Sequence, residues 1–313
     1  MELVDLIGRR LTLRDLRVLM VVAQAGNMSK AAQILNSTQP AVSRSIGELE
    51  QALGVLLFER SRRGVEPTKY GRVLLDCGSA VFDDLHQGLK NIKFLADPTV
   101  GEIRIGGNES IIAGLLPAVF DRLRRQYPGI GIRVTSVAAV SQQYRELRER
   151  KVDLILGRID PPTESDIDAE VLYQERTFVV AGLKNPWSRR RKIEWSELVD
   201  EPWVLPSPDS LVGSVFDLGF RNTGAQYPRK GVAIGSIHLH IALVASNQFL
   251  AIVPGSILRF SAHRFALKVL PIKSPVPPSP VGIMKLKTRA ANPVTELFIE
   301  CARKVVMLGA KHQ

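Results

Sequence analysis

Gln39, Pro40, Ser43 and Arg44 crowd polar and small side chains into the first turns of a segment whose apolar residues repeat at helical spacing. A glutamine can bond adenine N6 and N7 together, an arginine can read guanine O6 and N7, and a proline ring can meet the thymine methyl. Arg44 can equally hold a phosphate, which carries no sequence information. Arg60, Arg62 and Arg63 lie just before Gly64, a basic turn suited to phosphates or the minor groove. Other chemistry is poorly served. The chain has no G-x-S-x-G elbow, no H-E-x-x-H pair and no phosphate-binding G-x-x-x-x-G-K-[ST] loop, and Gly106-Gly107 does not extend to a dinucleotide fingerprint. His238 and His240 stand two residues apart on a predicted helix, so they point to different faces. Cys77 and Cys301 cannot build a disulfide framework or a four-cysteine zinc site. Catalysis, a metal and a cofactor are therefore not expected.

The elements that must position the Gln39 to Arg44 group follow from caps and periodicity. Thr12 with Asp15 makes a capping box, Leu16, Leu19, Met20 and Ala23 form an apolar face, and Gly26 ends the first helix. Ser29 is expected to cap a second helix carrying Ala31, Ala32 and Leu35. A third begins after Thr38, with Pro40 tolerated in its first turn, and runs through Val42, Ile46, Leu49 and Leu53 to Gly54. Three short helices, the last two closely joined, predict a helix-turn-helix. The small alanines permit a close crossing, and the outward first turn of the third helix suits the major groove. Leu57 to Arg60 and Val65 to Pro67 predict a small hairpin, a wing.

From Thr68 a helical pattern runs to Ala96, about 42 Å at 1.5 Å per residue. Leu74, Gly78, Val81, Leu85, Gly88, Ile92 and Leu95 recur at spacings of four and three, a heptad seam. A second copy of the same helix is the economical partner for it, so Leu74, Val81, Leu85, Ile92 and Leu95 are expected to dimerise; the alternative is that the stripe packs on the chain's own domain. Cys77 on this helix is expected to be a small core residue.

Asp97-Pro98-Thr99 breaks the pattern, and strands and helices then alternate. Strands at Glu102 to Gly106, Gly131 to Ser136 and Asp153 to Gly157, separated by helices at Ser110 to Gln126 and Ser141 to Arg150, predict a parallel sheet. Further strands are expected at Ala169 to Leu172, Thr177 to Ala181 and Phe249 to Val253, with helices at Asp209 to Arg221 and Ser236 to Ser246. Leu267 to Pro271, Val281 to Lys287 and a helix from Pro293 to Met307 look like a return to the first lobe. Two α/β lobes crossed twice by the chain would leave a cleft for a small ligand.

The 313 residues suffice for two or three domains, and 45% hydrophobic with 23% charged residues describes a globular chain. No apolar run spans a bilayer, and the first residues do not read as a secretory signal, so a cytoplasmic protein without a membrane partner is expected. The net charge of +11 is mostly placed after residue 97; within residues 9–72, however, 11 basic side chains face 5 acidic ones. That local excess is what a polyanion would meet.

Residues 12–72 resemble the winged helix-turn-helix of the LysR-type transcriptional regulators. The resemblance rests on Ala31-Ala32 with Leu35, on Thr38-Gln39-Pro40-Ala41-Val42-Ser43-Arg44, on Leu49-Glu50, Leu53-Gly54 and Leu57-Phe58-Glu59-Arg60, and on Pro67-Thr68 with Gly71. The later layout is similar to that family's two-lobed, periplasmic-binding-protein-like effector domain. The fold implied is α/β: a winged helix-turn-helix over residues 1–67, a linker and dimerisation helix over 68–97, and an effector-binding domain over 98–313. Its first lobe would take about 99–160 and 268–313, its second about 161–267. About ten residues precede the first helix as an extension, and Gly78 and Gly88 in the linker seam depart from the family's pattern.

The resemblance implies that Ser29, Thr38, Gln39, Pro40, Ser43 and Arg44 face operator DNA and that Arg62 and Arg63 touch its backbone or minor groove. It also implies an effector held between the lobes by Asn108, Ser110, Ser136, Ser207 and Ser236, where helix N-termini would favour an anion. The partners implied are double-stranded DNA, that small molecule, further copies of the chain in a dimer or tetramer, and RNA polymerase. A transport solute-binding protein would account for the lobes but not for the helix-turn-helix.

Overall fold

A computed structural model describes residues 11–61, 64–137, 139–159, 163–207, 211–224, 226–261, 266–289 and 292–310. The N-terminal extension, Arg62 and Arg63 lie outside these. The chain divides into two compact units, Met1–Gly88 and Leu89–Gln313.

In the first unit, α1 (Leu13–Ala25) starts on the expected capping box: Asp15 N donates to Thr12 Oγ1 at 3.3 Å and Thr12 N to Asp15 Oδ2 at 3.0 Å. Gly26 ends it at φ +61, a left-handed conformation that costs glycine little. The cap of α2 (Met28–Ile34) is Asn27 rather than Ser29. Asn27 Oδ1 accepts from Ser29 N at 2.8 Å and Lys30 N at 3.2 Å, so Ser29 stands inside the first turn. An asparagine two residues earlier satisfies the free amides in place of Ser29.

Thr38 precedes α3 (Gln39–Leu53), which Gly54 closes. Strands β1 (Phe58–Ser61) and β2 (Gly64–Pro67) pair antiparallel as the wing. Glu50 Oε1 accepts from Leu57 N at 2.8 Å and Phe58 N at 3.2 Å, which fixes the wing to α3. Leu19, Val22, Ala31, Ala32, Val42, Ile46, Leu49, Leu57 and Phe58 close one core, each large side chain contributing about 1.5 to 3 kcal/mol of burial.

The linker α4 (Lys69–Ala96) is one continuous helix. Its apolar seam is not a single interface. Leu74 packs on the core of its own winged domain, and a Cβ on Gly78 would stand 3.5 Å from Leu16 and from Met20. The first helix thus covers the start of the seam, which corrects the expectation that a second chain covers all of it. Val81 is half-buried, whereas Leu85, Leu89, Ile92 and Leu95 are exposed. Cys77, expected in a core, is exposed.

The second unit holds two five-stranded sheets. In the first, β3 (Val100–Gly107) lies parallel to β4 (Gly129–Ser136) and β5 (Leu154–Arg158), joined through α5 (Glu109–Gln126) and α6 (Val140–Arg148). The parallel βαβαβ unit is as the sequence predicts. Strand β6 (Ile167–Glu175), expected in the second lobe, pairs through β12 (Ser279–Leu286) with this sheet, giving the order β4-β3-β5-β12-β6.

The second sheet, in the order β11-β7-β10-β8-β9, takes β7 (Thr177–Gly182), β8 (Pro202–Leu205), β9 (Lys230–Ala233), β10 (Leu250–Pro254) and β11 (Leu267–Val269). Strand β11 pairs with β7, so the chain returns to the first lobe only after it, not at Leu267. Helices α7 (Trp195–Leu198), α8 (Leu211–Thr223) and α9 (Ile237–Ala245) belong to this half. Helix α10 (Gly255–Ser261) follows β10 and packs on α5 of the first lobe, where a Cβ on Gly114 would stand 2.7 Å from Ser256 Oγ, and α11 (Pro293–Ala310) closes the chain. The short strands β8 and β9 and helix α10 escaped the sequence reading.

Each lobe has its own core: Ile103, Ile105, Leu115, Leu156 and Phe298 in the first, Val179, Trp203, Phe220 and Ile252 in the second. In the first lobe Asp153 is buried between Arg104 and Arg289, at 2.8 Å from each guanidinium. Two charge-assisted partners offset the cost of removing that carboxylate from water. No helix among the described residues is long and apolar enough to cross a membrane.

Candidate DNA-reading face and effector cavity

Helix α3 divides cleanly by exposure. Val42, Ile46 and Leu49 are buried, while Thr38, Gln39, Pro40, Ala41 and Arg44 are exposed and Ser43 is half-buried. One ridge of this helix therefore carries the base-reading types outward from its N-terminal turn. Ser29 is exposed on the preceding helix. Sequence reasoning missed Arg14 and Arg17: with Arg44 they line one groove beside α3, together with Asp15 and Glu48. They were legible only as exposed positions of an amphipathic helix, since nothing in α1 alone says which neighbour its polar face would join.

In the second unit a cavity of about 210 Å³ is lined from both lobes. The first lobe gives Asn108, Glu109 and Ser110 at the start of α5, Ser136 at the end of β4, Arg158 at the end of β5, Gln143 of α6, and Ser279 of β12. The second gives Thr177, Phe216, Ile234, Ser236, His240 and Ile252 among others. Three parallel strands thus end at the cavity, where an α/β sheet leaves room for a ligand because the helices depart in opposite directions. Asn108 Oδ1 caps α5 by accepting from Ser110 N at 3.0 Å, and Ser110 Oγ donates to the same oxygen at 2.5 Å. Ser236 precedes α9 without a side-chain cap bond, so first-turn amides of that helix keep donor capacity beside the cavity.

Of the residues expected to hold an effector, Asn108, Ser110, Ser136 and Ser236 come together here. Ser207 does not line the cavity; its neighbour Pro206 does. Gln143, Arg158, Glu175, Thr177, His240 and Ser279 were missed, because their convergence depends on how the sheets stack.

Two of these are buried ionisable groups. Burial pushes the Glu175 carboxyl above its ordinary range, although Ser256 N donates to its Oε1 at 3.1 Å and Tyr173 Oη to its Oε2 at 3.1 Å. Burial pushes His240 down to about 4 against the support of the Val204 backbone, so its ring is neutral at pH 7. His238, two residues away, is exposed with Nδ1 3.3 Å from Glu109 Oε1, so the two histidines do face apart. Among the described residues no cluster of three or more His, Cys, Asp or Glu side chains could hold a metal ion.

A winged helix-turn-helix in one unit and a two-lobed domain with a ligand-sized cavity in the other define a DNA-binding regulator equipped with a small-molecule domain. The comparisons with known proteins agree. Residues 13–72 match the bacterial regulatory helix-turn-helix protein model of the lysR family, and residues 96–306 match the LysR substrate binding domain. The chain belongs to the LysR family of DNA-binding transcriptional regulators.

It is 29% identical over 286 residues to the HTH-type transcriptional regulator GbpR of Azospirillum brasilense, covering 91% of this chain and 83% of that one. It is 27% identical to the transcriptional dual regulator GltC of Bacillus subtilis, covering 92% and 95%. These relatives are named as regulators, not enzymes. Among solved structures, a full-length OxyR variant from Pseudomonas aeruginosa superposes with a TM-score of 0.65 at 23% identity, covering 93% of this chain and 97% of that one. Full-length CbnR complexed with its target DNA does so at 0.63 and 21%, covering 94% and 100%.

Proposed function

We propose that this regulator reads promoter DNA with the first turn of α3 and changes its grip when a small-molecule effector enters the cavity between its lobes. The observation that carries this reading is the convergence of Asn108, Ser110 and Ser136 from one lobe with Ser236 and His240 from the other on a single cavity. A ligand touching both lobes has different contacts when they are closed or open, which is what a population shift requires. Base reading is assigned to Gln39, Pro40, Ser43 and Arg44, phosphate contact to Arg62 and Arg63, with Ser29 and Thr38 at the rim.

The functional form is assigned as a dimer or tetramer. Support comes from the exposed row Leu85, Leu89, Ile92 and Leu95 on α4 and from an apolar groove lined by Ile112, Leu116, Phe120, Val134 and Ile241. A paired winged domain would meet two half-sites, and the spacing of the pair would set the bend in the DNA. The cytoplasm, where promoter DNA and RNA polymerase are found, is the assigned site of action.

The test is to incubate the purified full-length chain with sheared DNA of its own genome and sequence the fragments it retains. Gln39→Ala protein is run in parallel. A small set of shared sequences, lost with Gln39→Ala, is expected; retention of random fragments by both proteins would contradict base reading by α3.

A further inference from the structure

Three residues that line the cavity carry buried polar atoms that the protein itself leaves without hydrogen bonds. Gln143 is 2% exposed; its Nε2 donates to Val137 O at 2.9 Å, which fixes the amide orientation and leaves Oε1 as a bare acceptor. His240 is 6% exposed, its ring bonds the Val204 backbone, and Nε2 has no partner. In a neutral imidazole that donates through one nitrogen, the other is an acceptor. Ser279 Oγ, on the first lobe's β12, is likewise buried and unpartnered. All three residues line the same cavity. Buried polar groups in native proteins are nearly always satisfied, so three orphans around one cavity mark the places where something else must bond.

Those atoms state what the occupant must offer. Gln143 Oε1 and His240 Nε2 both need a donor, and Ser279 Oγ can take one. A bare carboxylate offers only lone pairs and would face these acceptors with like polarity. The lining charge does not demand an anion: among the described residues of the lining Arg158 is the one permanent cation, and the carboxyl of Glu109 stands against it. Hydroxyl groups meet every requirement, since each donates once and still accepts from the uncapped amides at the start of α9. At about 210 Å³ the space is below the roughly 300 to 1,000 Å³ of drug-sized sites. The occupant is therefore compact.

We propose that the effector is a compact, uncharged, hydroxyl-rich molecule, a polyol or monosaccharide, whose hydroxyls donate to Gln143 Oε1, His240 Nε2 and Ser279 Oγ. This departs from the expectation of an anion and rests on the reading of the cavity as the effector site.

The test is isothermal titration calorimetry of the full-length protein against two sets of probes. One set is erythritol, xylitol, D-xylose, D-glucose and myo-inositol; the other is butyrate, pivalate and benzoate. Saturable binding of a member of the first set is expected, weakened roughly tenfold by Ser279→Ala and by His240→Phe, as befits loss of one hydrogen bond. Circular dichroism checks that both variants keep their fold, and Ser279→Ala removes only an unpartnered oxygen. If carboxylates alone bind, and the same substitutions weaken them, the hydroxyl class is wrong while the cavity remains the effector site. If neither set binds, or if binding ignores both substitutions, the cavity reading falls as well.

Discussion

The hydroxyl oxygens of Thr177 and Ser274 lie 2.6 Å apart, each on one of the two segments by which the chain passes between the sheets of its second unit. Thr177 opens β7 directly after the first crossing, and Ser274 lies between β11 and β12 on the second. A bond at this place ties the two crossings together where lobe closure would bend them. Thr177→Val keeps the shape and removes the bond. It is expected to lower stability by about 1 kcal/mol, read as a shifted midpoint in urea unfolding; an unchanged midpoint would show that the two hydroxyls are not coupled.

His240 gives a pH prediction with a definite sign. Its folded value of about 4 lies below its ordinary 6.5, so the unfolded chain binds the extra proton first as pH falls. Stability is therefore full above about pH 6.5 and declines between 6.5 and 4, by up to roughly 3 kcal/mol for a shift of this size. Glu175, raised by burial, acts in the opposite sense: the stability it contributes is present below its unfolded value and is lost as pH rises through its folded one. The difference between wild type and His240→Phe isolates the histidine. That difference is expected to change across pH 6.5 to 4 and to be flat above it.

Much of the first unit could be read from the chain because its signals are local. The capping box of Thr12 and Asp15, the stop at Gly26 and the apolar spacing of Val42, Ile46 and Leu49 each act within a few residues. Ser29 misled because two good caps stand close together, and Asn27 reaches the amides first. Lobe membership was less legible. Strand β6 and the beginning of β7 run almost without a break, Glu175 to Thr177, and nothing local says that the first pairs with β12 and the second with β10. The serines at helix starts could be proposed from sequence, whereas Gln143 and His240 look like ordinary interior residues until their unpaired atoms are seen beside one cavity.

The two ends of the linker seam should respond differently to substitution. Leu85 is 49% exposed and Ile92 63%, so a charge there leaves the isolated chain's cores intact. Leu85→Asp is expected to yield a folded protein that has lost its dimer, because two like charges would face each other unpaired at a cost of several kcal/mol. Leu74→Asp instead places a carboxylate against the winged domain's own core and is expected to unfold that domain. Analytical ultracentrifugation with circular dichroism separates these outcomes; a dimeric Leu85→Asp protein would place the self-association elsewhere.

The central claim, that α3 and its basic surroundings grip promoter DNA, is tested most directly by fluorescence anisotropy on a retained genomic fragment as salt is raised. With about 6 to 10 phosphates neutralised per dimer, affinity is expected to fall roughly 10³ to 10⁵-fold between 50 and 200 mM salt. Gln39→Ala should keep that slope and lose about 1 to 3 kcal/mol on the retained fragment, with little change on unrelated DNA. An affinity that barely responds to salt, or a Gln39→Ala protein that loses both DNAs equally, would contradict the account.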